Sequence, residues 1–150
     1  MYERIVVAID GSPHAEQALR HACGLATALP ARLRIVHVVD TGWLGMEMEL
    51  AIDTEQAARA RREAGATLLR YAHAWAQAAG VEPETRLLET ETPADHIAVI
   101  LAREAADWPA DIVVLGTHGR KGLERMLVGS VAEGMARLSS VPVLLVPFHK

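Results

Sequence analysis

Asp111-Ile112-Val113-Val114-Leu115-Gly116-Thr117-His118-Gly119 is an apolar run that stops on two closely spaced glycines. Nine residues later come Gly129-Ser130, and Val131-Ala132-Glu133 then opens a segment of helical spacing. A continuous apolar run bounded by turn residues is the pattern of a strand buried on both faces of a parallel sheet. The unit predicted is therefore strand, glycine loop, helix, the repeating piece of an α/β fold. Glycines let a backbone approach an anion closely and accept positive φ. A helix start adds unpaired N–H groups and about half a positive charge. Arg120, Lys121 and Arg125 put local positive charge on a chain whose net charge is -4. Together these features predict a nucleotide phosphate site, with the amides of residues 116–131 aimed unpaired into one pocket. Ser130-Val131-Ala132-Glu133 also has capping-box spacing, so Ser130 is read as a helix cap, a phosphate ligand, or both.

Working outward, the same alternation recurs. Ile5 to Ile9 is another continuous apolar run, stopped by Asp10-Gly11-Ser12-Pro13. That stop combines a turn, a Ser N-cap and a Pro at the first helical position. Ala15, Ala18, Leu19 and Ala22 follow at helical spacing up to Pro30. Leu33 to Val39 reads as a second strand and Thr54 to Ala79 as a long helix with Leu68, Leu69, Ala72, Trp75 and Ala76 inward, ended by Gly80. Thr85 to Glu89 is a weaker third strand, and Thr92-Pro93-Ala94-Asp95 starts a helix continued by Ile97, Ile100 and Leu101. Ser130 to about Leu138 is the last helix and Val143 to Val146 the fifth strand. Right-handed crossovers between such units give one open, five-stranded parallel sheet with helices on both faces, a Rossmann-like α/β fold. The first and fourth strands both end in small turn residues. If they are neighbours, both turns open onto one crevice, which predicts the strand order 3-2-1-4-5 with the ligand above strands 1 and 4.

At 150 residues the chain reads as one domain, 1–150, able to bury a sizeable core. Aromatic residues are 4% of the chain, so that core must rest on Val, Ile, Leu and Ala. The acidic balance and missing basic stripe argue against nucleic acid. No charged segment followed by a long apolar one reads as a signal peptide, and no stretch reaches membrane-spanning length, so a cytoplasmic protein away from the membrane is expected. The lone Cys23 is expected as a small buried hydrophobe.

Other phosphate motifs fail on inspection. There is no G-x-x-x-x-G-K-[ST] and no G-x-G-x-x-G after the first strand, and the nucleophile elbow G-x-S-x-G is absent. Asp10, at the end of the first strand, can accept hydrogen bonds from a ribose or from amides of a base-binding loop, or it can simply shape its turn. Val38 and Val39 can wall a base or pack in the core. Of the seven histidines, His14 and His21 are too far apart on one helix to pair on a metal, His73 and His96 suit solvated faces, and His37 suits a packed strand position. His118 differs: it lies inside the glycine loop, within reach of a phosphate or ribose. No metal-ligand set is read in the side chains, although a divalent ion such as Mg or Mn is expected to accompany a polyphosphate through its own oxygens.

The combination of Val6-Val-Ala-Ile-Asp10-Gly-Ser12, Gly116-x2-Gly119-x9-Gly129-Ser130 and Val141-Pro-Val-Leu-Leu-Val-Pro147 resembles the universal stress protein family over the whole chain. The glycine pattern is that of its ATP-binding branch. The resemblance implies ATP, AMP or ADP as ligand. It implies that Ala8, Asp10 and Val38 surround base and ribose, and that Gly116, His118 and Gly119 contact ribose and phosphates. Gly129, Ser130, Val131 and Ala132 would then hold the phosphate chain. It also implies a homodimer through Val141–Pro147, and an apolar terminal strand is indeed a liability as a bare sheet edge.

Three functions fit these residues. The first is a nucleotide-sensing stress-response regulator whose Arg120–Val128 loop is ordered by ATP and read by a protein partner; no nucleophile or general base accompanies the cradle. The second is a slow ATPase or phosphotransferase using Asp10 or His118. The third is a scaffold that docks proteins through Thr41–Leu50, where Trp43, Leu44, Met46 and Met48 are apolar for a connection; a packed loop or a lid over the nucleotide is the preferred reading of that segment.

Overall fold

The computed structural model describes residues 1–41, 54–92, 96–118 and 128–149. Its elements alternate as β1 (Arg4–Ala8), α1 (Pro13–Ala28), β2 (Arg32–Val39), α2 (Thr54–Ala78), β3 (Glu84–Glu89), α3 (Ile97–Asp107), β4 (Ile112–Gly116), α4 (Ser130–Leu138) and β5 (Val143–Val146). The sheet is parallel throughout and runs β3-β2-β1-β4-β5, the order that the paired turns predict. In the centre, Ile5, Val6 and Val7 of β1 pair with Ile112, Val113 and Val114 of β4.

Alternation along the strands sorts the core into two layers. Ile5, Val7, Leu33, Ile35 and Val114 face α1 and α2, packing with Ala18, Ala22, Leu69 and Ala72. Val6, Val36, Val38, Val113 and Leu115 face α3 and α4, packing with Ala98, Leu101 and Met135. Small helix residues let α1 lie close to the sheet, and Cys23 sits among them, 3% exposed, its thiol pushed up to about 11 by burial. That is the small-hydrophobe role its neighbours predict. Leu68 and Trp75 of the long helix are only partly buried, whereas Leu69, Ala72 and Ala76 are fully so.

Local chemistry sets the boundaries. Ser12 caps α1, its hydroxyl oxygen accepting from the Ala15 amide at 3.1 Å, with Pro13 in the first turn. Asp111, just before β4, accepts from the amides of Glu3 and Arg4, both at 2.8 Å, and so ties the start of β1 to its neighbour. The start of the third helix needs correction. Its first residue is Ile97, and its N-cap is His96, which makes no side-chain capping bond. Thr92 lies outside the helix, and Pro93, Ala94 and Asp95 fall outside the described residues.

Candidate functional site

Two strand ends, those of β1 and β4, open side by side because the two strands pair directly. Beyond β1, the Ile9 amide still bonds to the Val36 carbonyl at 2.9 Å, so Asp10 begins the turn. Asp10 Oδ1 accepts from the Ser12 amide at 2.9 Å, and Gly11 takes φ +82°. The carboxylate therefore shapes its own turn, the local role an Asx residue plays. Ala8 is half-buried and packs against the core layer that faces α3 and α4. Val38 is 8% exposed within the layer facing α3, and Val39 is 2% exposed; both are packed by the fold itself. His37 is half-buried and its Nδ1 lies 2.7 Å from the Ile9 carbonyl oxygen, the packed strand position its spacing predicts.

Beyond β4, the Thr117 amide bonds to the Val146 carbonyl at 3.2 Å, and the Thr117 carbonyl accepts from the Gly129 amide at 2.6 Å. That second bond closes the base of the loop 118–128 and delivers the chain to α4. The expectation that the amides of 116–131 all stay unpaired is thus corrected: Thr117 and Gly129 give theirs to the main chain. Three others differ. The first bond inside α4 runs from the Glu133 amide to the Gly129 carbonyl at 2.9 Å, so the amides of Ser130, Val131 and Ala132 have no intrahelical acceptor.

Ser130 is also not the cap. Gly129 occupies that position with φ -72° and ψ 164° and offers no capping side chain. The capping box does not form, because the Glu133 carboxylate pairs with Arg137 at 2.7 Å instead. A glycine cap leaves the helix start uncovered by any side chain of its own, and Ser130 is exposed there. Val131 is half-buried against the α3-side core and Ala132 is 3% exposed, so these two offer their backbone rather than their side chains. Gly119, Arg120, Lys121 and Arg125 fall outside the described residues, as do Trp43, Leu44, Met46 and Met48.

Sequence reading missed one grouping at this crevice. His14, in the first turn of α1, lies with its ring centroid 5.0 Å from that of His118 and 5.4 Å from Phe148. Its Nδ1 is 3.3 Å from Thr117 Oγ1, and His118 Nδ1 is 3.2 Å from the same oxygen. Burial first, and His118 second, pull the His14 imidazole below its ordinary value, while Asp10 pushes it up. The one available signal was the strand order, which sets the start of α1 beside the end of β4. Among the described residues no three His, Cys, Asp or Glu side chains converge to hold a metal ion. Two open depressions, of about 560 and 590 Å³, flank β3 rather than this crevice. No helix among the described residues is long and apolar enough to cross a membrane.

The Universal stress protein family model matches residues 1–147. The chain belongs to the universal stress protein family. It is 33% identical over 147 residues to a universal stress protein of Methanocaldococcus jannaschii, the match covering 97% of this chain and 82% of that one. Among solved structures, that of hypothetical protein MJ0577 superposes with a TM-score of 0.84 at 24% identity over 100% of this chain and 99% of the other, a likeness of fold. A universal stress protein in complex with cAMP superposes with a TM-score of 0.71 at 26% identity, covering 97% of each chain.

Proposed function

We propose that this universal stress protein is a single-domain regulator that binds an adenine nucleotide, ATP foremost, between the ends of β1 and β4 and the start of α4. The observation that carries the reading is the open helix start: three consecutive amides, at Ser130, Val131 and Ala132, with a glycine cap and no intrahelical acceptor. Such a start holds phosphate oxygens, and the exposed Ser130 hydroxyl adds a fourth donor. Gly116, His118 and Gly119 would border ribose and phosphates, with Arg120, Lys121 and Arg125 supplying charge. Ala8, Asp10 and Val38 would line the base and ribose side. A Mg or Mn ion would enter on the phosphates themselves. The cAMP bound by a relative of the same fold supports an adenine ligand. Pairing of two copies through Val141–Pro147 would cover the β5 edge, where Val143, Leu144 and Leu145 are half-buried. A regulatory role fits this cradle, which needs no reacting side chain to signal that it is full.

Equilibrium dialysis with ATP tests this. The wild-type chain should bind. Gly119→Val should abolish binding, because a branched side chain would occupy phosphate volume, and Ser130→Ala should weaken it by about 1–2 kcal/mol, one charge-assisted hydrogen bond. Full affinity in both variants would place the nucleotide elsewhere.

A further inference from the structure

The His14, Thr117 and His118 group has no part in the nucleotide reading beyond His118, yet it stands at the same crevice. Thr117 links the two: its side chain meets both imidazoles and its carbonyl accepts from Gly129, the residue before the open helix start. We infer that His14 is a further anion-binding residue of the nucleotide site, acting with His118 on the Thr117 hydroxyl so that one proton taken from solvent turns that hydroxyl toward a phosphate oxygen. The inference rests on the nucleotide reading above.

The hydrogen count explains how. A threonine hydroxyl has one hydrogen and two acceptor lone pairs, and a neutral imidazole has one N–H and one bare nitrogen. With both rings neutral, the hydroxyl donates to one Nδ1 and accepts from the other ring's Nδ1–H. Protonation of the acceptor nitrogen makes both Nδ1 atoms donors to Oγ1. The hydroxyl hydrogen is then released and points away from the rings. One proton enters, one positive charge appears, and one O–H donor becomes available. All three suit an incoming phosphate.

The separations of 3.2 and 3.3 Å are long for such bonds, and a charge on one partner shortens them. Without an anion the charge is unwelcome. The groups facing His14 among the described residues are His118 from the β4 side, which opposes protonation, Asp10 from the β1 turn, which favours it, and uncharged Phe148 beyond β5. Its neighbour on α1, Glu16, is engaged by Arg20 at 2.8 Å. Burial disfavours the charged ring, and an arriving phosphate would offset that penalty.

Binding of ATP by wild type, His14→Gln, Thr117→Ser and Thr117→Val, measured by dialysis at pH 5.5 and 8.5, tests the idea. ATP's own titration is common to all four, so the ratio of affinities between proteins isolates the imidazole. Wild type and Thr117→Ser should gain about tenfold over His14→Gln and Thr117→Val on going to pH 5.5, as follows if bound ATP strengthens proton binding by one imidazole about tenfold. An NMR titration of the His14 ring in the wild-type chain, with and without ATP, needs no variant to fold; the ring should titrate at higher pH when ATP is bound. The same pH response in wild type and His14→Gln, or a His14 titration that ATP leaves unmoved, overturns this inference alone. No ATP binding by wild type at either pH instead overturns the nucleotide reading.

Discussion

At Gly116 the missing side chain is filled by another element. A Cβ there would lie 2.7 Å from the His14 carbonyl carbon and 2.8 Å from the His14 carbonyl oxygen and Cβ. These are main-chain or near-main-chain atoms of α1 and cannot swing aside. On that face, then, glycine serves the approach of α1 to β4, and only its other face remains for a ligand. Gly116→Ala should destabilise the chain by about 1–3 kcal/mol, the usual cost of overpacking. At about 2–4 °C per kcal/mol for a chain of this size, a thermal melt would register the loss; an unchanged melt would mean that α1 can retreat at no cost. The proposed site stands out in the sequence because glycine, serine and basic side chains crowd one short stretch. What each does was less legible, since Ser130 yields its cap to Gly129 and Glu133 turns to Arg137. Gly129 takes the cap where the Thr117 carbonyl accepts from its amide, whereas the Glu133–Arg137 pair is an i,i+4 contact within α4.

Among elements, close approach recurs wherever a helix carries glycine at a packed face. On α2, a Cβ at Gly65 would lie 2.8 Å from His37 Cδ2 and 2.9 Å from Leu87 Cδ1, and the His37 ring is held by the Ile9 carbonyl at 2.7 Å. On α4, a Cβ at Gly134 would lie 2.7 Å from the Ala98 Cβ of α3. Two opposed effects meet in Gly134→Ala. Helix propensity favours alanine by about 1 kcal/mol, whereas forcing two packed helices apart costs about 1–3 kcal/mol. The contact should win, so urea denaturation should show net loss. Adding Ala98→Gly should return part of it as a coupling between the two sites, and strict additivity would show that the helices are not in contact there. Element existence and type were legible from periodicity. The start of α3 was not: Thr92-Pro93 has the residue types of a helix start, yet the helix begins at Ile97 with His96 as its N-cap.

For the whole molecule, the charged groups give a pH dependence with a definite sign. Glu84, through Arg34 first, and Glu89, through Arg62 first, are held below the usual carboxylate range. Asp111 is held low by the amides of Glu3 and Arg4. For each, the unfolded chain binds protons at higher pH than the folded one. Their stabilisation is therefore complete above the unfolded values, about 4 to 4.5, and is lost as pH falls through the lower folded ones. His14 acts in the same direction earlier, since a histidine held below its ordinary value disfavours the folded state as pH drops past about 6.5. Melting temperature should slip slightly between pH 7 and 5 and fall steeply below about 4.5; a melt independent of pH down to 4 would refute the assignment of these pairs. Arg34 belongs to the same network, bonded to Glu104 at 2.6 Å and stacked on Trp108 at 4.4 Å. It joins β2 to α3 in a way that no short stretch of sequence announces.

The alternation of apolar runs and helical periods, with turn residues at the ends of the first and fourth strands, by itself determined the α/β class, the five elements of the sheet and their order. These follow from hydrophobic burial and from the handedness of crossovers, which act on neighbours in the chain. Tertiary structure alone decided that His14 meets Thr117 and His118, that Gly116 accommodates α1, and that Thr117 and Gly129 give their amides to the main chain while those of Ser130, Val131 and Ala132 have no acceptor within α4. The contacts of His14 with Thr117 and Gly116 join residues about a hundred positions apart, and their geometry depends on how α1 settles against the sheet, which no local pattern encodes.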